Sequence, residues 1–391
     1  MMRESMKMWW YGTLVVLMSA SYCVIAAQIS QTPNVDVSVQ DKTSDRSTQK
    51  TARTIPADGP EIEYAGYVHK EFLLQPGNPR ILLARFDRIL DMPGKGYRWD
   101  NPGVSIRFRT NATEIEATLY YNELHQSKTA RDSVGVYSVD GVFKPGWSFR
   151  TRQMEVTRQP ETISVSFSNG GVAGFHDYEL FLPYGDSVDF AGLSVNQEAR
   201  FEQSKPQPSL RYIAYGDSIT HGFAATAIDR TYPFLVGKKK GWETFNLGLA
   251  GRSSLPALSD AKSIVSLKPD VVTVLMGGND WQGGVTLQQY RTDMENLVAG
   301  IRAAQPRTPI FLLTPLWVSP SWNPAGRVAD LESYRQVVRD IAVARNDPNL
   351  HVIEGPDLID HNPSFFDQIA THPNDAGFAM MAERLAEQLG L

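Results

Sequence analysis

The stretch AYGDSITHGF, residues 214–223, places a serine where chemistry can use it. Tyr212 to Tyr215 read as the end of a buried strand, and Gly216, Asp217 and Ser218 follow where the strand should stop. The carboxyl edge of a parallel α/β sheet is where ligands bind. A serine at that edge is either a helix cap or a nucleophile. The second reading requires a base and an oxyanion site elsewhere in the chain. Three further stretches supply them. NLGLAG ends at Gly251 and offers a backbone N–H, GGND contributes the Asn279 carboxamide, and THPNDAGF holds the His372 imidazole. A hydroxyl nucleophile, an imidazole base and donors for a developing oxyanion are what acyl transfer from serine requires.

These residues need elements to hold them, and from about residue 208 the pattern provides a regular series. RYIAYG reads as a strand, TYPFLVGKKK (231–240) as a helix and WETFNLG (242–248) as a second strand. SLPALSDAKSIVSL (254–267) has helical period. DVVTVLMGG (270–278) is a continuous apolar run of the kind expected for a strand covered on both faces. An amphipathic helix at 287–304, a strand at 309–315, a helix around 325–345, a strand at 350–355 and a last helix from about 374 complete the alternation. Strands alternating with helices predict a parallel five-stranded sheet wrapped by helices. In such a sheet the ends carrying Ser218, Gly251 and Asn279 lie on one edge.

The region from about 60 to 200 reads differently. VSIRFRT (104–110), EIEATLYY (114–121) and ETISVSFSN (161–169) alternate apolar with polar residues. NPG, TNAT, DG and NGG stretches punctuate the region as turns, which predicts an all-β sandwich or jelly roll. Ahead of it, residues 28–58 are polar and without period, as in a linker. Residues 1–27 carry Arg3 and Lys7 before an apolar run ending at Ala26 and Ala27, the pattern of a secretory signal, with an uncleaved membrane anchor as the alternative. The expected domains are therefore a signal at 1–27, a linker at 28–58, a β-sandwich at 59–204 and an α/β hydrolase domain at 205–391. The expected location is secreted or periplasmic, with no stable membrane insertion if the signal is cleaved.

GDSIT (216–220), GLAG (248–251), GGND (277–280) and HPND (372–375) resemble, in order and spacing, the four sequence blocks of the SGNH (GDSL-type) hydrolases. The resemblance covers Tyr212 to the C-terminus. It implies a flavodoxin-like fold and an activity among the esterases, deacetylases, lipases and related acyl hydrolases. It also implies Ser218 as nucleophile, His372 as general base, and an oxyanion hole from the N–H groups of Ser218 and Gly251 with the Asn279 side chain. A β-sandwich ahead of such a domain is similar to the carbohydrate esterases of family 2. WDNPGVSIRFRTNATEIEATL and YELFLPYGDSVDFAGLSV resemble their sandwich strands.

One departure stands out. The family places an aspartate three residues before the histidine, and here that position is Ile369. Asp367, five before, is the first candidate to orient His372; a backbone carbonyl or Asp360 are the others. Some family 2 esterases also manage without the usual aspartate. Asp217 and Asp280 read as braces for their turns. Trp281 and His221 are taken as substrate contacts, and Trp317 as a further wall residue.

Composition narrows the function classes. The 391 residues are 42% hydrophobic and 21% charged, with a net charge of −5, so there is none of the basic excess that nucleic-acid binding favours. Cys23 is the single cysteine, which leaves no intrachain disulfide and no cysteine cluster for zinc. The other histidines show no metal-like spacing, and neither metal nor organic cofactor is expected. The expected activity is removal of small acyl groups, acetyl foremost, from carbohydrate or another small ester. A lipase, thioesterase or acyltransferase with the same residues is the rival within enzymes. An inactive glycan-binding surface protein is the rival from another class.

Overall fold

The computed structural model describes residues 52–74, 79–87, 96–121, 134–143, 147–150, 162–206, 208–254, 258–320, 322, 326–368 and 371–390. The expected signal, and the linker up to residue 51, lie outside the described residues. All described residues fall in one compact unit.

The first half is antiparallel β. Its strands are β1 (Ala52–Pro56), β2 (Glu63–Ala65), β3 (His69–Leu73), β4 (Arg80–Ala84), β5 (Ser105–Thr110), β6 (Ile115–Tyr121), β7 (Val134–Val139), β8 (Ser148–Arg150), β9 (Thr162–Phe167), β10 (His176–Phe181), β11 (Val188–Asn196) and β12 (Phe201–Glu202). One sheet runs β3-β4-β11-β6-β9, with β1 also on β11; the other runs β12-β5-β10-β7-β8, with β2 also on β5. Period-two patterning explains the layering. Ile106 and Phe108 of β5 turn inward onto Leu119, Tyr178, Leu180, Phe190 and Leu193. Arg107 and Arg109 between them turn outward and meet Glu179 and Asp177, their register partners on β10, at 2.6 and 2.7 Å.

The expectation of a linker up to residue 58 needs correction. Ala52–Pro56 is a strand, paired antiparallel to β11 from Ala52↔Asn196 to Pro56↔Gly192. Only Ile55 of the strand is buried, so the backbone ladder rather than an apolar pattern holds it.

The second half is β13 (Arg211–Gly216), α1 (Ser218–His221), α2 (Tyr232–Lys240), β14 (Glu243–Gly248), α3 (Leu258–Ser266), β15 (Val271–Leu275), α4 (Gly278–Gln282), α5 (Leu287–Ala304), β16 (Ile310–Leu313), α6 (Leu331–Arg345), β17 (Leu350–Ile353) and α7 (Asp375–Gln388). The parallel sheet has the order β14-β13-β15-β16-β17, which is 2-1-3-4-5 within this half and flavodoxin-like. Every residue of β15 is buried, as helices on both faces require. In α5 the buried positions Tyr290, Met294, Leu297, Val298 and Ile301 form one stripe at helical spacing, and the Thr286 side chain caps the start by accepting from Gln289 N–H.

The two halves share a core. Leu82, Ala84, Phe86 and Trp99 of the β half lie in the same buried cluster as Ile213, Tyr215, Phe245 and Leu247 of the α/β half.

Candidate active site

β13 lies between β14 and β15, with Gly216 level with Gly248 on one side and Leu275 on the other. The chain leaves β13 toward β14 and later returns to β15, so this is the topological switch point of the sheet. Ser218 is the first residue of α1. Asp217 is its N-cap, and its side chain accepts from Ile219 N–H at 2.9 Å. That settles the cap question locally: the aspartate does the capping, and the serine hydroxyl is left for another partner. Ser218 Oγ lies 2.8 Å from His372 Nε2. Asp217 is buried, and burial pushes its carboxyl up to about 6, with the Ile219 N–H pulling the other way.

His372 stands just ahead of α7, whose N-cap Asn374 accepts from the N–H groups of Ala376 and Gly377. Phe366 and Pro373 form an antiparallel bridge, and Asp367 N–H donates to His372 O at 2.7 Å. The chain thus folds back on itself and sets Asp367 opposite His372. Asp367 Oδ2 lies 3.2 Å from His372 Nδ1, while Oδ1 accepts from Thr371 N–H at 3.1 Å and His372 N–H at 3.4 Å. The Thr371 hydroxyl is also 3.1 Å from Nδ1. Burial by itself would raise the Asp367 pKa; the bond and charge of His372, with the two backbone donors, outweigh it and hold the carboxyl below its ordinary value. With the ionised carboxylate at Nδ1, the ring carries its proton there and Nε2 presents a lone pair to Ser218. Asp360 is elsewhere: it accepts from Arg384 at 2.7 Å on the surface.

Gly251 and Asn279 sit on the neighbouring strand ends. Leu249 N–H donates to Gly216 O, and Arg252 N–H closes a turn onto Leu249 O at 3.1 Å. Gly251 is the third residue of that turn with φ 75°, a conformation that favours glycine. Asn279 Nδ2 donates to Arg252 O at 2.8 Å, so the carboxamide is tied to the same turn and keeps its second N–H. Asp280 accepts from the N–H and hydroxyl of Ser254 at 2.9 and 2.5 Å, a brace between the two loops. Gly248 has a separate reason to lack a side chain: a Cβ there would stand 2.1 Å from His221 N, so glycine lets α1 pack on the end of β14.

Two expected substrate contacts are overturned. His221 is wholly buried, with Nε2 2.6 Å from Tyr184 O and 3.2 Å from Asp100 Oδ2, and Nδ1 facing Ala250 N–H at 3.3 Å. Residues of the β half, Tyr184 and Asp100, close over it at the end of α1 and leave it no open surface. Trp281 is 4% exposed and belongs to the core beneath α4. Trp317 is half-buried, stacked on His361 at 5.4 Å and set against Phe366 at 5.3 Å, beside the segment that carries Asp367. Sequence reasoning missed Phe223, whose ring lies 5.7 Å from that of His372, and Tyr97 of the β half, which packs edge-on against Phe223 at 5.9 Å. Tyr97 had no local signal, because only the packing of the two halves brings it there.

Residues 214–380 match the family of GDSL-like lipases and acylhydrolases. No curated protein matches the chain. Among solved structures, a salicylyl-acyltransferase from a tetracycline biosynthetic pathway is 22% identical, with 87% of this chain and 98% of that one covered and a TM-score of 0.72. A family two carbohydrate esterase from Clostridium thermocellum, in complex with cellohexaose, is 18% identical over 84% of this chain and 98% of its own, with a TM-score of 0.59. An acetyl xylan esterase from the rumen bacterium Butyrivibrio proteoclasticus is 12% identical over 87% and 97%, also with a TM-score of 0.59. At these identities the likeness is one of fold, and it extends over both halves. With its strand order and its match across residues 214–380, the α/β half is a GDSL-like lipase/acylhydrolase domain of SGNH type, and the chain is an ester hydrolase with a preceding antiparallel β domain.

Proposed function

We propose that the protein is an exported serine esterase that removes small acyl groups, acetyl foremost, from carbohydrate through an acyl-enzyme on Ser218. The observation that carries this reading is the line Ser218 Oγ, His372 Nε2, His372 Nδ1, Asp367 Oδ2, with separations of 2.8 and 3.2 Å at its two joints. Ser218 Oγ attacks the ester carbonyl as its proton passes to Nε2. The N–H groups of Ser218 and Gly251 and the free N–H of Asn279 receive the oxyanion. As the tetrahedral intermediate collapses, the C–O bond to the sugar breaks, and Nε2 returns the proton to the departing alkoxide. A water then gives a proton to Nε2 and attacks the acyl-serine, and Oγ leaves with that proton as the carboxylic acid forms. Asp367 keeps Nδ1 protonated and stabilises the imidazolium in both steps. The carbohydrate assignment is supported by the two-part fold shared with the named carbohydrate esterases, and export by the apolar segment at 1–27.

Ser218→Ala tests the reading. Hydrolysis of acetylated oligosaccharides should fall by about 10³-fold or more, and labelling by a fluorophosphonate should disappear, while the melting temperature holds. Turnover within tenfold of wild type overturns it. A panel of acyl chains from acetyl to dodecanoyl separates an acetylesterase from a lipase. The salicylyl-acyltransferase with a shared fold favours one second reading, transfer to an acceptor alcohol rather than water. Acyl-enzyme partitioning measured with added alcohols decides between them: product dominated by acid at modest acceptor concentration supports hydrolysis.

A further inference from the structure

Three side chains of the β half, Arg85, Asp100 and Arg98, reach residues that flank or touch the turn carrying Gly251. Arg85 is fully buried and donates through Nη1 to Asn246 O at 2.8 Å and Gly248 O at 2.7 Å, while its Nε donates to Asp100 O at 2.7 Å. Asp100 and the Tyr184 carbonyl, both from the β half, face His221 Nε2. With two acceptors at Nε2, the ring proton belongs there, and Nδ1 accepts from Ala250 N–H, which belongs to the Leu249–Ala250 peptide, one ahead of the peptide that carries the Gly251 N–H. Burial lowers the His221 pKa, with Asp100 pulling it back, so the ring stays neutral near pH 7 and the Nδ1 lone pair remains available. On the other side of the turn, Arg98 donates to Asp260 Oδ1 at 3.2 Å, and Asp260 Oδ2 pairs with Arg252 and accepts from Tyr215 at 2.7 Å. Arg252 directly follows Gly251, and its carbonyl holds Asn279.

We infer that His221 is a positioning residue through which the β domain holds the Leu249–Ala250 peptide and so aims the Gly251 N–H on the next peptide, with Arg98 and Asp260 bracing the turn from its other end. The oxyanion donors of the α/β half are thereby aimed by residues of the other half. A donor aimed at developing charge loses its effect when it moves by a fraction of an ångström, whereas a packing contact does not. The inference rests on the reading of Gly251 as an oxyanion donor.

Two substitutions at one site separate aiming from packing. His221→Gln keeps a donor where Nε2 stood and leaves Ala250 N–H without its acceptor. His221→Asn puts an amide oxygen where Nδ1 stood and abandons Asp100 and Tyr184. The full chain is assayed for kcat, KM and melting temperature, with active sites counted by fluorophosphonate titration. His221→Gln should lower kcat about tenfold or more, with KM within about twofold and little change in melting temperature. His221→Asn should melt lower yet recover most of the lost kcat. Arg98→Met, at a partly exposed position, should lower kcat about threefold at unchanged KM. Wild-type kcat per titrated site in both His221→Gln and Arg98→Met overturns the inference, as does activity that simply follows melting temperature. If His221→Gln yields no folded protein, wild-type kcat in Arg98→Met alone overturns it. Ser218→Ala, run alongside, keeps the two levels apart: turnover persisting there defeats the serine mechanism itself, not the aiming of its donors.

Discussion

Asp367 lies five residues before His372, two further than the family spacing, and backbone bonding absorbs the difference. The bridge between Phe366 and Pro373 and the bond from Asp367 N–H to His372 O make the two residues cross-strand neighbours, so their side chains meet without the usual interval. The carboxylate is charged in the fold at neutral pH and is held by three donors, two of them backbone. Asp367→Asn should therefore preserve folding and lower kcat by about 10²-fold or more, because the wrong imidazole tautomer is favoured. Asp360→Asn removes only an exposed pair with Arg384, worth about 0–1 kcal/mol, and should leave kcat within about twofold. Steady-state kinetics on both variants decides: silence at both positions removes Asp367 from the mechanism, and a large loss at Asp360 alone means the orienting acid is the other one.

The turn from β13 into α1 sets a buried acid beside the serine. Asp217 caps the helix, and the cost of burying its charge appears as a raised pKa of about 6. The sign follows from linkage. A carboxyl whose folded pKa exceeds its unfolded value near 3.8 contributes stability that is fully present below about 3.8 and is lost as pH rises through about 6. Asp217→Asn keeps a side-chain oxygen for Ile219 N–H and removes the titration. Denaturant unfolding at pH 4, 5, 6 and 7 should show the variant gaining on wild type across that window, by up to about 3 kcal/mol at the upper end. A stability difference that stays flat with pH would mean the carboxyl is not titrating in the fold.

The described residues form one compact unit whose halves share apolar surface. Phe86 and Trp99 are buried among strands of the α/β sheet, and a second seam joins Phe143 and Phe181 to Phe234 of α2 at ring separations of 5.6 and 5.1 Å. Each such side chain contributes about 1.5–3 kcal/mol when buried, against a total stability of about 5–15 kcal/mol for a domain. Residues 205–391 expressed alone should accordingly be insoluble, or melt well below the full chain and hydrolyse substrate weakly. Full activity on acetylated oligosaccharides from a soluble truncated protein would show that the β half is an independent module.

The alternation of strand and helix after residue 208, the stripe on α5 and the sheet-end positions of Ser218, Gly251 and Asn279 were legible in the sequence. Burial period, turn chemistry and parallel connection are local or follow from element order. The identity of the group at His372 Nδ1 was not, since three candidates satisfied the same sequence and only the fold-back at 366–373 brings one of them within reach. Nor was the inward turn of His221 and Trp281 legible, because a polar or aromatic residue near a nucleophile reads alike whether its surface is later desolvated or left wet. The strand at Ala52–Pro56 has too few apolar residues to announce itself and exists by pairing with β11. Arg85, Arg98 and Asp100 lie more than 100 residues from Gly248, Asp260 and His221, the partners they meet in the fold, and nothing in their local sequence points there. Long-range packing alone decides which distant side chains share a buried space, and the cost of leaving a buried charge or donor unpaired then fixes their partners.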